Sequence, residues 1–230
     1  MSQLALPLKL QDHAVFESFW PAGNDALVAY LRELVAGGTA AGCWLWGQAS
    51  TGKTHLLQAV CARLGSASIY LPLRELVDTS PELLEGLASR ACICVDDIDA
   101  AAGRPGWEIG LFRLWNAAVE AGSMLVVAAV APPRECGFEL PDLLSRLGHL
   151  PAFHLLPLGE DERPRALQLR ASHRGLELPD ETARYLLKRS RRDMTSLYEL
   201  LDRLDSEALK AQRRLTIPFV RDVIGAHAGC

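Results

Sequence analysis

One short polar loop carries the residues of the chain that are best suited to chemistry on phosphate groups. It reads Gly47, Gln48, Ala49, Ser50, Thr51, Gly52, Lys53, Thr54, which is the full G-x-x-x-x-G-K-[ST] pattern. Glycines let the backbone come close to a phosphate, so that successive N–H groups can point at it. The lysine brings a positive charge to the β- and γ-phosphates, and the threonine hydroxyl is a ligand for Mg²⁺. The loop therefore predicts a binding site for ATP or ADP.

Two adjacent aspartates follow an apolar run later in the chain. The run Ala91–Val95 reads as a buried strand, and Asp96 and Asp97 stand at its end. Unpaired carboxylates are costly to bury, so a metal ion is a natural partner for them. We assign Asp96 to Mg²⁺, together with Thr54, and Asp97 to orienting or deprotonating an attacking water. The alternative is that the pair caps the segment that follows, although Asp99 is the better candidate for a cap.

The remaining pattern predicts the elements that position these groups. Short apolar runs alternate with helical patterns up to Pro157, which favours an α/β P-loop fold: a five-stranded parallel sheet with helices on both faces. The phosphate loop falls between the first strand and the next helix, as its chemistry requires. From about Leu158 the chain reads as successive helices without a strand. We expect an extended peptide at 1–10, an α/β nucleotide-binding domain at 11–158 and a small all-helical domain at 159–230.

Composition and charge are those of an ordinary globular protein. Of the 230 residues, 49% are hydrophobic and 23% are charged. The formal net charge of −4 argues against a protein whose main role is to coat nucleic acid. The six cysteines lack the spacing of a disulfide framework or a zinc site. No secretory or membrane-spanning pattern is present, so we expect reduced thiols in a cytoplasmic protein without a membrane partner.

The start of the chain has a short alternating pattern of leucines and other residues. Its residues are Gln3, Leu4, Ala5, Leu6, Pro7 and Leu8. The proline has no backbone N–H for a sheet ladder, so the segment is a poor strand. An extended peptide with regularly spaced leucines suits an apolar groove on another protein. Packing on the protein's own surface and docking to a partner both stay open at this point.

Taken together, these features resemble the AAA+ ATPases of the bacterial replication initiator DnaA group. Within that group the chain is most similar to the Hda family, the short DnaA homologues that switch the initiator off. The resemblance runs, in order, through QLALPL, VFESFWPAGN, the phosphate loop, VDDID, LPDLLSRLG, ALQLRASHRGLELPDETARYLLKR and LTIPFVRDVI. It implies an AAA+ fold in which the helical domain is a lid.

The resemblance also implies two partners and a regulatory role. Such proteins bind the DNA polymerase sliding clamp through an N-terminal peptide, which here comprises Gln3, Leu4, Leu6, Pro7 and Leu8. They stimulate ATP hydrolysis by DnaA, and so prevent repeated initiation, by inserting an arginine that matches Arg146 in this chain. A guanidinium delivered in trans stabilises charge on the transferring phosphoryl group. The alternative for Arg146 is a cation that interacts with the end of its own helix.

Two positions depart from the family's pattern of an active ATPase. Val130 stands where a polar sensor is expected, and Thr195 stands where the lid usually carries a phosphate-contacting arginine. We therefore expect weak ATP hydrolysis by the chain itself and a nucleotide that is held as a ligand. Arg191 or Arg192 is the candidate replacement for the missing lid arginine.

Two other functions are compatible with the sequence. The first is a self-sufficient DnaA-like or loader-like ATPase that acts on DNA or a helicase. The second is a P-loop kinase, which the helical C-terminal domain and the aspartate pair disfavour. The chain shows no basic recognition helix after the lid, so we expect no autonomous DNA-binding domain. The sequence does not decide between a monomer and a homodimer.

Overall fold

The computed structural model of the chain describes residues 14–38, 42–189, 194–211 and 213–225. The predicted clamp-binding residues, Gln3 to Leu8, lie outside the described residues. So do both candidate replacements for the lid arginine, Arg191 and Arg192.

The chain divides into two compact units that are not contiguous in sequence. The first unit contains Gly23–Leu156 and the short segment that ends at Phe16. The second unit contains Glu17–Ala22 and the chain from Pro157 onward. The sequence pattern placed Glu17–Ala22 with the α/β domain, whereas the structure groups these residues with the helical part.

The first unit is built on a five-stranded parallel sheet. Its strands are β1 (Gly42–Trp46), β2 (Ser68–Pro72), β3 (Cys92–Asp96), β4 (Met124–Ala129) and β5 (Ala152–His154). They lie side by side in the order β2-β3-β4-β1-β5, and every neighbouring pair is parallel. The helices described in this unit are α1 (Asp25–Val35), α2 (Lys53–Leu64), α3 (Leu73–Leu76), α4 (Pro105–Ala121) and α5 (Pro141–Leu147).

Both faces of this sheet are buried. On one face, Ile93 and Val95 of β3 share a core with Leu111 of α4 and Leu143 of α5. Side chains alternate along a strand, so Cys94 points to the opposite face, where α2 contacts β3 and β4. Burial on both faces explains why β3 and β4 are almost continuously apolar in sequence. The predicted α/β fold is confirmed.

The regular structure in the described residues of the second unit is all helical. Its helices are α6 (Glu162–His173), α7 (Asp180–Arg189), α8 (Met194–Ala211) and α9 (Ile217–Gly225). Leucines from α6, α7 and α8 form a core of their own, and Trp20 from the early part of the chain packs against it. The expected helical domain is confirmed.

Two further expectations concern cysteines and membranes. The described cysteines are free thiols, namely Cys43, Cys61, Cys92, Cys94 and Cys136. None of the helices in the described part of the chain has the length and apolar character needed to cross a bilayer.

A buried carboxylate ties α4 to the segment that leads into α5. Glu108 is 2% exposed, and its two oxygens accept hydrogen bonds from the backbone N–H groups of Gly103, Glu139 and Leu140 at 2.6–3.1 Å. A buried carboxylate is costly unless donors replace its water, and these three amides do so. Because Leu140 directly precedes Pro141, the carboxylate helps to fix where α5 begins.

We expect Glu108→Ala to lower the free energy of unfolding by about 2–4 kcal/mol, because three backbone donors lose their acceptor. Urea denaturation followed by circular dichroism measures the change. Glu120→Ala is the matched control, since Glu120 is an exposed residue of the same helix. It should change stability by no more than about 0.5 kcal/mol. Equal, small losses in the two variants would contradict the anchoring role of Glu108.

Candidate functional site

The predicted phosphate loop lies at the edge of the sheet where the strands end. β1 stops at Trp46, and α2 begins at Lys53. Open α/β sheets bind ligands beside the carboxyl ends of their strands, so this is the edge that favours a site. The backbone is left-handed at Ser50, with a φ of 61°, and at Gly52, with a φ of 99°. Glycine adopts that conformation at no steric cost, and Gly52 uses it immediately before the first residue of α2.

Gly47 has a packing reason to be glycine in addition to the phosphate pattern. A Cβ atom at this position would stand 2.7 Å from the carbonyl oxygen of Leu155. Leu155 is itself tied to the end of β1, since its N–H donates to the Trp46 carbonyl at 2.7 Å. The loop therefore starts in close contact with the chain that follows β5.

The ammonium group of Lys53 is held inside the loop by backbone carbonyls. Its Nζ donates to the oxygens of Gly47 at 2.8 Å and Gln48 at 2.9 Å. Thr51 Oγ1 donates to the Gln48 oxygen as well, at 3.0 Å. Burial lowers the pKa of Lys53, and the nearby carboxylates, Asp96 first among them, oppose that shift. A positive charge thus stands where the sequence predicts phosphate.

Asp96 connects β3 to two other elements. The residue is 3% exposed. Its Oδ2 accepts hydrogen bonds from Thr54 Oγ1 of α2 at 2.6 Å and from the Tyr70 hydroxyl of β2 at 2.8 Å. Its Oδ1 accepts the backbone N–H of Asp97 at 3.1 Å. Burial raises the pKa of Asp96, while the two hydroxyl hydrogen bonds act in the opposite direction. The two residues assigned to Mg²⁺ are therefore in direct contact.

This pair has the kind of oxygen atoms that Mg²⁺ binds. Magnesium prefers oxygen ligands and usually takes one or two from the protein, with phosphates and waters as the rest. The hydroxyl hydrogen of Thr54 points to Asp96, which leaves the lone pairs of its oxygen for a cation. Among the described residues no group of three or more His, Cys, Asp and Glu could hold a metal ion alone. The residues present fit Mg²⁺ that is bound together with a phosphate ligand.

Asp97 is paired with an arginine that the sequence pattern does not single out. Arg74 of α3 donates its Nε to Asp97 Oδ2 at 2.8 Å, and its Nη2 lies 3.7 Å from Asp99 Oδ2. The Arg74 side chain is 60% exposed, and ion pairs this exposed contribute about 0–1 kcal/mol. The backbone of Asp97 is left-handed, with φ 49° and ψ 47°, which is uncommon for a residue other than glycine. Asp97, the residue assigned to water activation, therefore forms an ion pair with Arg74.

The two sensor positions fall in different units. Val130 directly follows β4 and is 49% exposed. Its backbone N–H donates to Asp99 Oδ1 at 3.2 Å, but its side chain offers no polar atom. Thr195 lies in the first turn of α8 in the helical unit.

Arg146 lies in the last turn of α5 and is exposed. Among the described residues its guanidinium has no hydrogen-bond or ion-pair partner. The helix that carries it is fixed to the core by Leu143 and Leu147, which are buried. Its place at the carboxyl end of a helix is also where a cation gains from the helix dipole, so both interpretations from the sequence are compatible with the position.

We expect Gly47→Ala to destabilise the chain by about 1–3 kcal/mol, because the new methyl group meets the backbone oxygen of Leu155, whose own N–H is tied to the Trp46 carbonyl. Thermal and urea unfolding measure the loss. Gly106→Ala on α4 is the matched control, since a Cβ there meets only Pro81, at an ordinary 3.7 Å. The control should be neutral or stabilising by up to about 1 kcal/mol. Tolerance of alanine at Gly47 would show that the close approach to Leu155 is not a constraint.

Comparison with known proteins identifies both the fold and the lid. Residues 160–224 match the family model described as Hda, lid domain. The chain is similar to domain III of the Thermotoga maritima replication initiation protein DnaA, with 19% identity and a TM-score of 0.75 over 95% of this chain and 98% of that one. It is similar to AMPPCP-bound DnaA from Aquifex aeolicus, with 20% identity and a TM-score of 0.66 over 85% of this chain and 66% of that one.

A third similar structure is the Thermotoga maritima RuvB Holliday junction branch migration motor. It has 17% identity to this chain and a TM-score of 0.61, over 89% of this chain and 68% of that one. At 17–20% sequence identity, the structural similarity to these proteins shows the fold alone. The family match of residues 160–224 is more specific and concerns the lid. The chain therefore has the fold of DnaA domain III, and its residues 160–224 form an Hda-type lid domain.

Proposed function

We propose that this chain is a regulator of replication initiation that holds a nucleotide and stimulates ATP hydrolysis by DnaA through Arg146. The observation that carries the proposal is the match of residues 160–224 to the Hda lid family on a body with the fold of DnaA. The regulator would act in the cytoplasm, tethered to the DNA polymerase sliding clamp by its N-terminal peptide. The geometry of the first unit supports the separate steps of this proposal.

Nucleotide binding is the first step. The DnaA structure from Aquifex aeolicus contains AMPPCP, and this chain shares its fold. The loop from Gly47 to Thr54 places a lysine ammonium and the start of a long helix at one edge of the sheet. Thr54 and Asp96 would hold Mg²⁺, which neutralises phosphate charge when it is bound. ATP or ADP is therefore the expected ligand of this loop.

Weak hydrolysis by the chain itself is the second step. A general base must bring a carboxylate oxygen within reach of the attacking water. One oxygen of Asp97 accepts a hydrogen bond from Arg74 at 2.8 Å, which competes with that role. Val130 offers no side-chain donor or acceptor at the end of β4. Both features favour a chain that retains its nucleotide rather than turning it over.

Delivery of Arg146 to DnaA is the third step. Because the exposed guanidinium has no partner among the described residues, it breaks no ion pair when it enters another protein's site. The buried leucines on the same short helix hold its backbone in place. An arginine supplied in trans raises phosphoryl-transfer rates by about 10³–10⁵ in other NTPases. A fixed, unpaired arginine suits that role.

We expect Arg146→Ala to remove at least about 10² of the stimulation of DnaA hydrolysis, because one guanidinium supplies most of the charge stabilisation. The assay follows ATP hydrolysis by DnaA with and without DNA-loaded clamp. Arg113→Ala is the matched control, since Arg113 is an exposed arginine of α4 in the same unit, and it should retain full stimulation. Both variants should keep the ADP affinity of the unaltered chain. Full stimulation by Arg146→Ala would refute the arginine assignment.

We expect the double change Leu6→Ala and Leu8→Ala to weaken clamp binding by at least about a hundredfold, because each leucine loses about 1.5–3 kcal/mol of apolar burial in a partner groove. Surface plasmon resonance with immobilised clamp measures the affinity. Gln11→Ala, just beyond the peptide, is the control and should bind normally. Nucleotide affinity should not change in any of these variants. Clamp affinity that is unchanged by the double replacement would rule out the tether.

A self-sufficient DnaA-like or loader-like ATPase is the alternative function. Steady ATP turnover by the isolated chain, at about 1–10 s⁻¹, would favour that alternative. The lack of a polar side chain at Val130, directly after β4, argues against it.

A further inference from the structure

Tyr70 touches the candidate cation site although nothing in the sequence marks it. It lies in β2, which pairs in parallel with β3 so that Tyr70 stands opposite Cys94. Its hydroxyl reaches along the edge of the sheet and donates to Asp96 Oδ2 at 2.8 Å. A strand that carries no predicted site residue thus contributes a donor to the carboxylate assigned to Mg²⁺.

Two hydroxyl groups from different elements meet at the same oxygen of Asp96. Thr54 approaches from α2 at 2.6 Å, and Tyr70 approaches from β2. A carboxylate oxygen has two lone pairs, so these donors use the capacity of Oδ2. The other oxygen accepts one backbone N–H and keeps room for a further partner. Rotation of the carboxylate would break both hydroxyl hydrogen bonds, and the side chain is therefore fixed.

The phenol is suited to remain a donor. A tyrosine hydroxyl carries its proton at physiological pH and can donate it to a carboxylate oxygen, as Tyr70 does to Asp96. Gln58 of α2 also hydrogen-bonds the Tyr70 side chain. The hydroxyl is thus held between α2 and the carboxylate, which limits its freedom to turn away from Asp96.

We infer that Tyr70 is a positioning residue of the cation site, which holds the Asp96 carboxylate in the orientation that lets Asp96 and Thr54 bind Mg²⁺ beside a nucleotide phosphate. The inference rests on the proposed nucleotide function. Groups that orient metal ligands without touching the metal typically change metal affinity by about 10–100-fold when they are removed. A merely structural tyrosine would instead affect folding or nucleotide binding with and without the metal alike.

The test measures ADP affinity of the full chain over a range of Mg²⁺ concentrations, and again in EDTA, by isothermal titration calorimetry. Tyr70→Phe removes one oxygen atom and keeps the ring. We expect the Mg²⁺ concentration that gives half of the full effect on ADP affinity to rise about tenfold, with the affinity in EDTA unchanged. Tyr30→Phe is the matched control, because it removes a hydroxyl that donates to the Gly42 carbonyl at 2.8 Å, at the opposite end of β1. It should keep the Mg²⁺ dependence of the unaltered chain.

The other outcomes contradict either this inference or the proposed function. The inference is overturned if ADP binding depends on Mg²⁺ in the same way in Tyr70→Phe and in the unaltered chain. It is also overturned if Tyr70→Phe loses as much ADP affinity in EDTA as it does in Mg²⁺. ADP binding that is strong but independent of Mg²⁺ in the unaltered chain also overturns it, since no cation site would then exist. Failure of the unaltered chain to bind either ADP or ATP contradicts the proposed function itself.

Discussion

The buried carboxylate at the end of β3 needs hydrogen-bond donors, and the surrounding elements supply them. Asp96 is 3% exposed, and a carboxylate removed from water needs donors in its place. The donors come from the first turn of α2, from β2 and from the backbone that follows β3. The helix after the phosphate loop and the second strand are therefore fixed to the third strand through one side chain. Any ligand of the loop meets a surface that is already ordered by this contact.

The charged groups at this edge differ in how easily they can change partners. Lys53 is buried, and its ammonium is held by carbonyl oxygens of its own loop. Arg74 is mostly exposed, so its pairing with Asp97 contributes little to stability and can be exchanged at small cost. A phosphate-bearing ligand would thus meet one cation that is fixed before binding and one that is free to adjust. This difference between the two cations suits a site that binds a nucleotide without hydrolysing it rapidly.

Two features could be predicted from the sequence, because one has a fixed residue spacing and the other follows from burial of the sheet. The phosphate loop has set positions along the chain, and β3 and β4 are apolar throughout because both faces of the sheet are covered. Tyr70 and Arg74 could not be found in that way, because strand pairing rather than sequence spacing brings them to the aspartates. Their only signal is chain position, since Tyr70 lies in the middle of β2 and Arg74 lies in α3, just after that strand ends. Nothing in the sequence marks Glu108, and only the path of a loop distant in sequence makes it a buried acceptor.

The grouping of Glu17–Ala22 with the helical unit has a consequence for the order in which the protein can be assembled. Trp20 packs against a core whose other members come from Leu158 onward. During synthesis about 200 further residues must be added before that core is complete at Val220, which takes on the order of ten seconds or more at typical rates. For that interval an apolar side chain near the start of the chain has no native contact surface. The α/β unit can therefore complete its sheet first, whereas the helical unit can be completed only after Phe219 and Val220 of α9 have been made.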